Sequence, residues 1–241
     1  MIQKMFNNLS STLLAHFCKV CHTIELMKDT MKYMQEHFRI NLLFLLVASV
    51  LCGNMVAQSI VKREVYTVNF SNALHEPLWV SYKLYRGGGE CSRTKFRFHN
   101  DIDSLQTATD KDYAKSGYDK GHLANSEDFA YDCSKDELTF RYYNCLPQTP
   151  NLNRGVWKIN ETLIRQWSQS DSLLIVCGGT FGKKKIGRIA VPDYCWKVVQ
   201  SLSSKKVLFC GWFTNTSEAT VTEIQLTELT KRTGEEIQLK Q

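Results

Sequence analysis

Between Gly117 and Trp167 the chain gathers the side chains that hydrolysis of a phosphate diester requires. The first half of this stretch contains Gly117-Tyr118-Asp119-Lys120-Gly121-His122-Leu123-Ala124. The second contains Tyr143-Asn144-Cys145-Leu146-Pro147-Gln148, then Asn151-Leu152-Asn153-Arg154-Gly155-Val156-Trp157, and finally Glu161 and Arg165. An unperturbed imidazole titrates near pH ~6.5, so His122 is a candidate general base at neutral pH. Asn153 and Glu161 supply hard oxygens of the kind that Mg²⁺ prefers. Fixed cations nearby offset charge building on a phosphate in the transition state. Together these residues suit metal-assisted attack of water on a phosphodiester, with His122 taking the proton.

The spacing also says how these groups must be held. Pro150 is a poor helix-interior residue, whereas Asn153 to Ser168 places Val156, Trp157, Leu163, Ile164 and Trp167 among charges. That pattern predicts strand, loop, then amphipathic helix. Asn153, Trp157, Glu161 and Arg165 recur every four residues and would lie near one helical face. At ~1.5 Å per residue, Asn153 and Glu161 sit roughly 12 Å apart along the axis. Both cannot be short direct ligands of one small cation. Asn153 is expected to bind the ion directly and Glu161 to hold it through a coordinated water, since Mg²⁺ dehydrates reluctantly.

These spaced elements resemble the DNA/RNA non-specific endonucleases of the ββα-metal, or His-Me finger, class. The matching positions are Asp119, Gly121, His122, Asn144, Pro147, Gln148, Leu152, Asn153, Trp157 and Glu161. The resemblance implies an α+β fold, with a ββα-metal finger embedded in a mixed, mainly antiparallel sheet flanked by helices. It implies His122 as general base, Asn153 as direct metal ligand and Glu161 as a ligand through water. Asn144 would support the site, Arg165 would face the phosphate, and Asp119 would join the chemistry or orient the loop around His122. An upstream phosphate-binding arginine is matched by Arg93, with Arg97 as the alternative. The implied cofactor is Mg²⁺, with Mn²⁺ or another divalent cation able to substitute. The implied substrates are DNA and RNA, cut without sequence preference to leave 5′-phosphates. Lys120 departs from the family's usual arginine, keeping the charge but losing the bidentate fork. A second reading, drawing on that departure, is a catalytically silent exported nucleic-acid-binding protein of the same fold.

Outside this stretch, 241 residues of which 43% are hydrophobic permit one ordinary domain with a real core. A net charge of +6 is compatible with a polyanionic partner but does not require one. Residues 1–57 read as an amino-terminal extension with an export signal, and 58–241 as a single nuclease domain. The apolar run Leu42 to Cys52 is too short for a membrane span, which needs about 20 residues, and suits a signal peptide cleaved after Ala57. The expected destination is therefore periplasmic or secreted, without stable membrane insertion after cleavage; an uncleaved signal anchor is the lesser alternative. Cys18-Lys19-Val20-Cys21-His22 matches a haem-attachment pattern, but a single copy ahead of an export signal reads as chance. Six cysteines follow the expected cleavage point, in an order that allows 15 pairings, and no pair has zinc-ligand spacing. Cys177 and Cys210 lie in apolar strands and are expected to be buried thiols. Strands are expected over Glu64–Phe70, Leu78–Tyr85, Leu138–Leu146, Ser172–Val176, Trp196–Leu202 and Lys206–Phe213, with a basic loop at Lys183-Lys184-Lys185. A helix is expected over Thr222–Arg232, stopped by Gly234.

Overall fold

The computed structural model describes residues 27, 31–34, 37–38 and 58–239. The chain divides into two compact units, Met1–Met55 and Val56–Gln241. In the first, residues 31–34 are helical. The apolar run, the expected cleavage point and the C-x-x-C-H motif lie outside the described residues. No described helix is long and apolar enough to cross a membrane.

The second unit is built on a seven-stranded sheet. Its strands are β1 (Gln58–Lys62), β2 (Thr67–Ser71), β3 (Glu76–Leu84), β6 (Leu173–Ile186), β7 (Ile189–Ser201), β8 (Val207–Thr214) and β9 (Val221–Glu223), adjacent in that order. All of these pairings are antiparallel. An isolated parallel bridge joins His99 to Arg141, and the whole fits the expected α+β, mainly antiparallel architecture. Strand alternation gives the sheet two apolar faces. Ile175, Cys177, Cys195 and Val199 share one core with Phe70, Tyr82 and Trp157. Leu174, Val176, Trp196 and Val198 share the other with Leu229 of a carboxy-terminal helix.

The first face carries the elements that hold the candidate site residues. They comprise a hairpin of β4 (Asp119–His122) with β5 (Cys145–Gln148), followed by helix α3 (Lys158–Trp167); short helix α1 (Asp110–Tyr113) precedes β4, and α2 (Cys133–Leu138) lies in the connection between β4 and β5. Register pairs Gly121 with Leu146 and His122 with Cys145. Gly121 is required by space, since a Cβ there would lie 2.0 Å from the Gln148 side-chain oxygen.

Four local expectations change. The helix expected from Asn153 is regular only from Lys158; Leu152–Trp157 forms a wider turn broken at Gly155, whose φ and ψ are −102° and −113°. Asn153 and Glu161 therefore belong to different backbone segments and not to one helical ladder. The strand expected over Leu138–Leu146 is instead the end of α2, a 3₁₀ turn at Tyr142–Asn144 and the start of β5. Side chains decide that outcome: Asp132 caps α2 by accepting from the Ser134 amide at 2.9 Å, and Asn144 donates to the Thr139 carbonyl at 2.9 Å. Lys183-Lys184-Lys185 extends β6 toward a turn at Gly187. Finally, Thr222 belongs to β9, and helix α4 runs Leu226–Thr233 before Gly234 ends it at φ 69°. The Trp196 and Lys206 strands pair as expected, with Trp196 opposite Trp212.

Candidate active site

β4, the wide turn after β5, and α3 converge on a cleft of about 570 Å³. Arg93, His122, Asn153, Glu161 and Arg165 all line it, together with Asn125, Glu127, Arg154, Lys158 and Thr162. Five positions singled out by the sequence thus meet, although Arg93 and Arg165 are 72 residues apart in the chain.

His122 ends β4 with its carbonyl accepting from the Trp157 indole at 3.2 Å, which ties the strand to the buried start of α3. Its ring lies between Phe98 and Phe140, with centroids 4.8 Å away in each case. Nε2 is sealed from solvent and has no hydrogen-bond partner among the described residues. The ring nevertheless lines the cleft, so Nδ1 is the nitrogen available to it. Burial, followed by the positive charge of Arg93, lowers the imidazole to about 3. His122 is accordingly neutral at physiological pH, the form that can accept a proton.

Asn153 has its orientation fixed by an acid. Its amide nitrogen donates to Asp119 Oδ2 at 3.0 Å, which leaves Oδ1 outside that bond. Asp119 is also gripped by Arg154, whose Nε and Nη2 donate at 2.7 and 2.6 Å. Burial alone would raise this carboxyl, but the hydrogen bonds from Arg154 and Asn153 hold it below its ordinary range. Asp119 thus stays ionised and acts on its neighbours' geometry. Arg154 was not singled out from the sequence; its position next to Asn153 was the available signal.

Glu161 is buried on α3, where Lys197 of β7 approaches from the sheet at 3.5 Å. The Lys197 ammonium also lies 4.1 Å over the Trp157 ring. A buried carboxylate without a counter-charge is strongly unfavourable, and Lys197 supplies one from beneath the cleft. Lys197 was missed as well: the strand expected over Trp196–Leu202 contained it without a role. A charge flanked by Cys195, Trp196, Val198 and Val199 was the overlooked clue.

Arg165 is fixed by a buried partner. Its Nε donates to Asp128 Oδ1 at 2.9 Å, and its Nη2 reaches Asn125 Oδ1 at 3.3 Å. Tyr82 of β3 donates to the other Asp128 oxygen at 2.9 Å. Burial raises Asp128 to about 6 despite the opposing Arg165 charge. Arg93 is held more loosely, by Ser126 at 3.3 Å and Glu127 at 3.2 Å. Arg97 donates to its own segment's carbonyls and lines a neighbouring depression with Lys120, so Arg93 is the upstream arginine that shares the His122 cleft.

Two residues stand behind the cleft. Asn144 is buried and fully used: Oδ1 accepts from the Ala124 amide, while Nδ2 donates to the Ala124 and Thr139 carbonyls, all at 2.9 Å. It fixes the backbone two residues beyond His122. Lys120 pairs with Asp110 and lies 5.4 to 5.8 Å over Phe98, Tyr113 and Tyr142, outside the lining of the cleft.

No group of three or more His, Cys, Asp or Glu suited to a metal occurs among the described residues. The donors here are an amide oxygen aimed by Asp119 and a buried carboxylate whose Oε1 faces Lys197 at 3.5 Å and accepts no hydrogen bond among the described residues. Few, hard oxygen donors fit a cation that keeps most of its water, as Mg²⁺ does.

The model of the DNA/RNA non-specific endonuclease family matches residues 48–238. Among individual relatives, a protein named Nuclease from Nostoc sp. is 34% identical over 146 residues, covering 58% of this chain and 53% of its own. Mitochondrial Endonuclease G of Homo sapiens is 29% identical over 156 residues, covering 57% and 52%. The chain thus spans about half the length of these curated relatives. A solved structure described as the EndoG/EndoGI complex superposes with a TM-score of 0.62 at 20% identity, over 73% of this chain and 83% of that one. That last likeness concerns the fold alone. The family model, by contrast, extends over most of the sequence and takes in every residue of the cleft, so the chain belongs to the DNA/RNA non-specific endonuclease family.

Proposed function

We propose that this protein is a metal-dependent endonuclease that hydrolyses phosphodiester bonds of DNA and RNA without sequence preference. The observation that carries this reading is a neutral histidine opening on the same cleft as an oriented amide oxygen, a buried carboxylate and two arginines. In this reading His122 takes the proton from the attacking water, with Nδ1 facing the cleft. Arg93 and Arg165 hold the phosphate and offset its growing charge. Asn153 would hold Mg²⁺ directly and Glu161 through water; the bound ion would supply Lewis-acid stabilisation of the developing charge. Asp119 and Asn144 act as positioning residues, the first on Asn153 and the second on the backbone after His122. Such a cleft grips the backbone and not base edges, which accounts for weak sequence preference.

The test is cleavage of supercoiled plasmid and of RNA by the full chain, with Mg²⁺ or with EDTA. Nicking in Mg²⁺ that EDTA abolishes is expected. Binding that is independent of metal, with no cleavage in Mg²⁺, would overturn the enzyme reading in favour of a silent binding protein. Lys120, the residue on which that second reading drew, is engaged by Asp110 and aromatic rings outside the cleft.

Export is proposed on two grounds: the apolar run from Leu42 to Cys52, and the Cys91–Cys133 disulfide, which suits an oxidising compartment. Mass spectrometry of protein from its host should find an amino terminus at Gln58. A mature chain that retains Phe44 would overturn cleavage.

A further inference from the structure

Resting on the reading of the cleft given above, we propose that the Cys91–Cys133 disulfide is the positioning element for Arg93. Reduction of this one bond would then release the phosphate grip while leaving the fold intact. Residues 87–98 contain neither helix nor strand. They begin at a glycine run in which Gly88 and Gly89 hold φ of 108° and 150°, a region that gives the backbone little restraint of its own. From Gly88 to Phe98 the backbone–backbone tie to the rest of the described protein is the Cys91 amide on the Ala130 carbonyl, at 3.1 Å. The disulfide lies at the same residue. Phe96 and Phe98 rest against Phe140, but they lie beyond Arg93; on its amino-terminal side the segment is held by the bond, by the Cys91 amide and by close packing of Gly89 on the Ala130 backbone.

The side-chain contacts of Arg93 are weak by comparison. Ser126 and Glu127 stand at 3.3 and 3.2 Å, and the Arg93 side chain is 47% exposed. An exposed ion pair adds little against the entropy of fixing a dozen backbone residues. The covalent tie is better placed. Cys133 opens α2, four residues after the 3₁₀ turn Ser126–Phe129 that carries Ser126 and Glu127. The bond therefore fixes Arg93 to the module that presents its partners. Cys133 is exposed, so a reductant can reach it, whereas Cys145, Cys177, Cys195 and Cys210 are free and buried.

With a dithiol such as dithiothreitol the exchange balances. A thiolate of the reductant attacks one sulfur of the bond, and its second thiol then closes a ring and leaves. Two electrons and two protons pass to Cys91 and Cys133, which become thiols, and the reductant becomes a cyclic disulfide.

The experiment compares the oxidised full chain, the reduced chain and the Cys91→Ser/Cys133→Ser variant, each with and without Arg93→Ala. Cleavage of a labelled duplex in Mg²⁺ should fall at least about tenfold on reduction, and equally in the double-serine variant. In the Arg93→Ala background reduction should cause no further loss, because the bond acts through that arginine. Hydrogen exchange supplies a readout independent of activity: the hydrogen-bonded amides of this segment, Cys91 and Phe96, should exchange at least about tenfold faster on reduction, while those of β6 to β8 stay unchanged. Equal cleavage before and after reduction would overturn the proposal. So would a further proportional loss in Arg93→Ala, or faster exchange spread over the whole sheet. If the oxidised parent cuts nothing, the nuclease reading fails, and exchange at Cys91 and Phe96 still decides whether the bond holds the segment.

Discussion

Arg165 and Arg93 line the same cleft but are held there by different physics. Arg165 projects from a helix, and its guanidinium is paired with an aspartate whose side chain is 2% exposed. Tyr82 and Asn125 complete that network from the sheet and from the loop beside it. Arg93 comes from a segment without regular structure, meets a glutamate that is 37% exposed, and relies on a nearby disulfide. Desolvation makes the first arrangement hard to break, because separating the pair strands a buried charge. The second has no such penalty. One arginine belongs to the fold, while the other is fastened to it.

His122→Ala sets the floor for this comparison, since neither arginine matters without a base. Cleavage should fall about 10²–10⁴-fold, with duplex binding in EDTA nearly unchanged. A variant that cuts at the parental rate would remove His122 from the chemistry.

The proposed metal ligands come next. Asn153→Ala should weaken activity severely at every Mg²⁺ concentration, because the oxygen aimed by Asp119 is gone. Glu161→Gln should recover in part at high Mg²⁺, since it keeps hydrogen bonding while losing charge. Titrating cleavage against Mg²⁺ compares them. Equal losses that resist added metal would sink this division of labour, and a harmless Asn153→Ala would sink the metal assignment.

The arginines themselves should separate stability from activity. Arg165→Ala should lose both, with a destabilisation of about 3 kcal/mol from the orphaned Asp128. The penalty should ease toward acid pH. The Asp128 carboxyl is raised to about 6 in the folded state, above its unfolded value, so its charge costs stability only as pH rises through that range. Arg93→Ala should lose activity with stability within about 0.5 kcal/mol of the parent. Urea melts of the two variants decide it; matching destabilisation would erase the distinction.

The smallest effect is electrostatic. Arg93 follows burial as a cause of the lowered His122 titration, and Arg165 is not among the causes. Arg93→Ala should therefore raise His122 from about 3 toward, but not to, its ordinary value, and Arg165→Ala should leave it unmoved. Because the folded value lies below the unfolded one, the stability this neutral histidine contributes is full above pH ~6.5 and fades as pH falls toward about 3. An NMR titration of the ring measures the shift; a larger response to Arg165→Ala would reverse the comparison.

Much of this was legible in the chain alone. The resemblance carried by His122, Asn144, Asn153 and Glu161 implied the ββα finger, and it was visible because a motif whose parts are near in sequence is written in local patterning. The β7–β8 hairpin and the Gly234 stop were equally readable, since strand alternation and a left-handed cap are properties of short segments. Three things were not. The break at Gly155 takes Asn153 off the helix of Glu161, and its non-helical backbone is a tertiary outcome that four-residue spacing does not encode. Lys197 and Asp128 are far in sequence from the residues they serve, and only packing the sheet against α3 brings their charges inside. The choice of Arg93 over Arg97, and of Cys91–Cys133 among 15 pairings, likewise fell to the tertiary structure. Sequence specifies which groups are present and the local period in which they recur. Burial and contact across long loops depend on how separate segments pack, and that packing determined which charges are neutralised, which amide is aimed and which arginine needs a covalent tie.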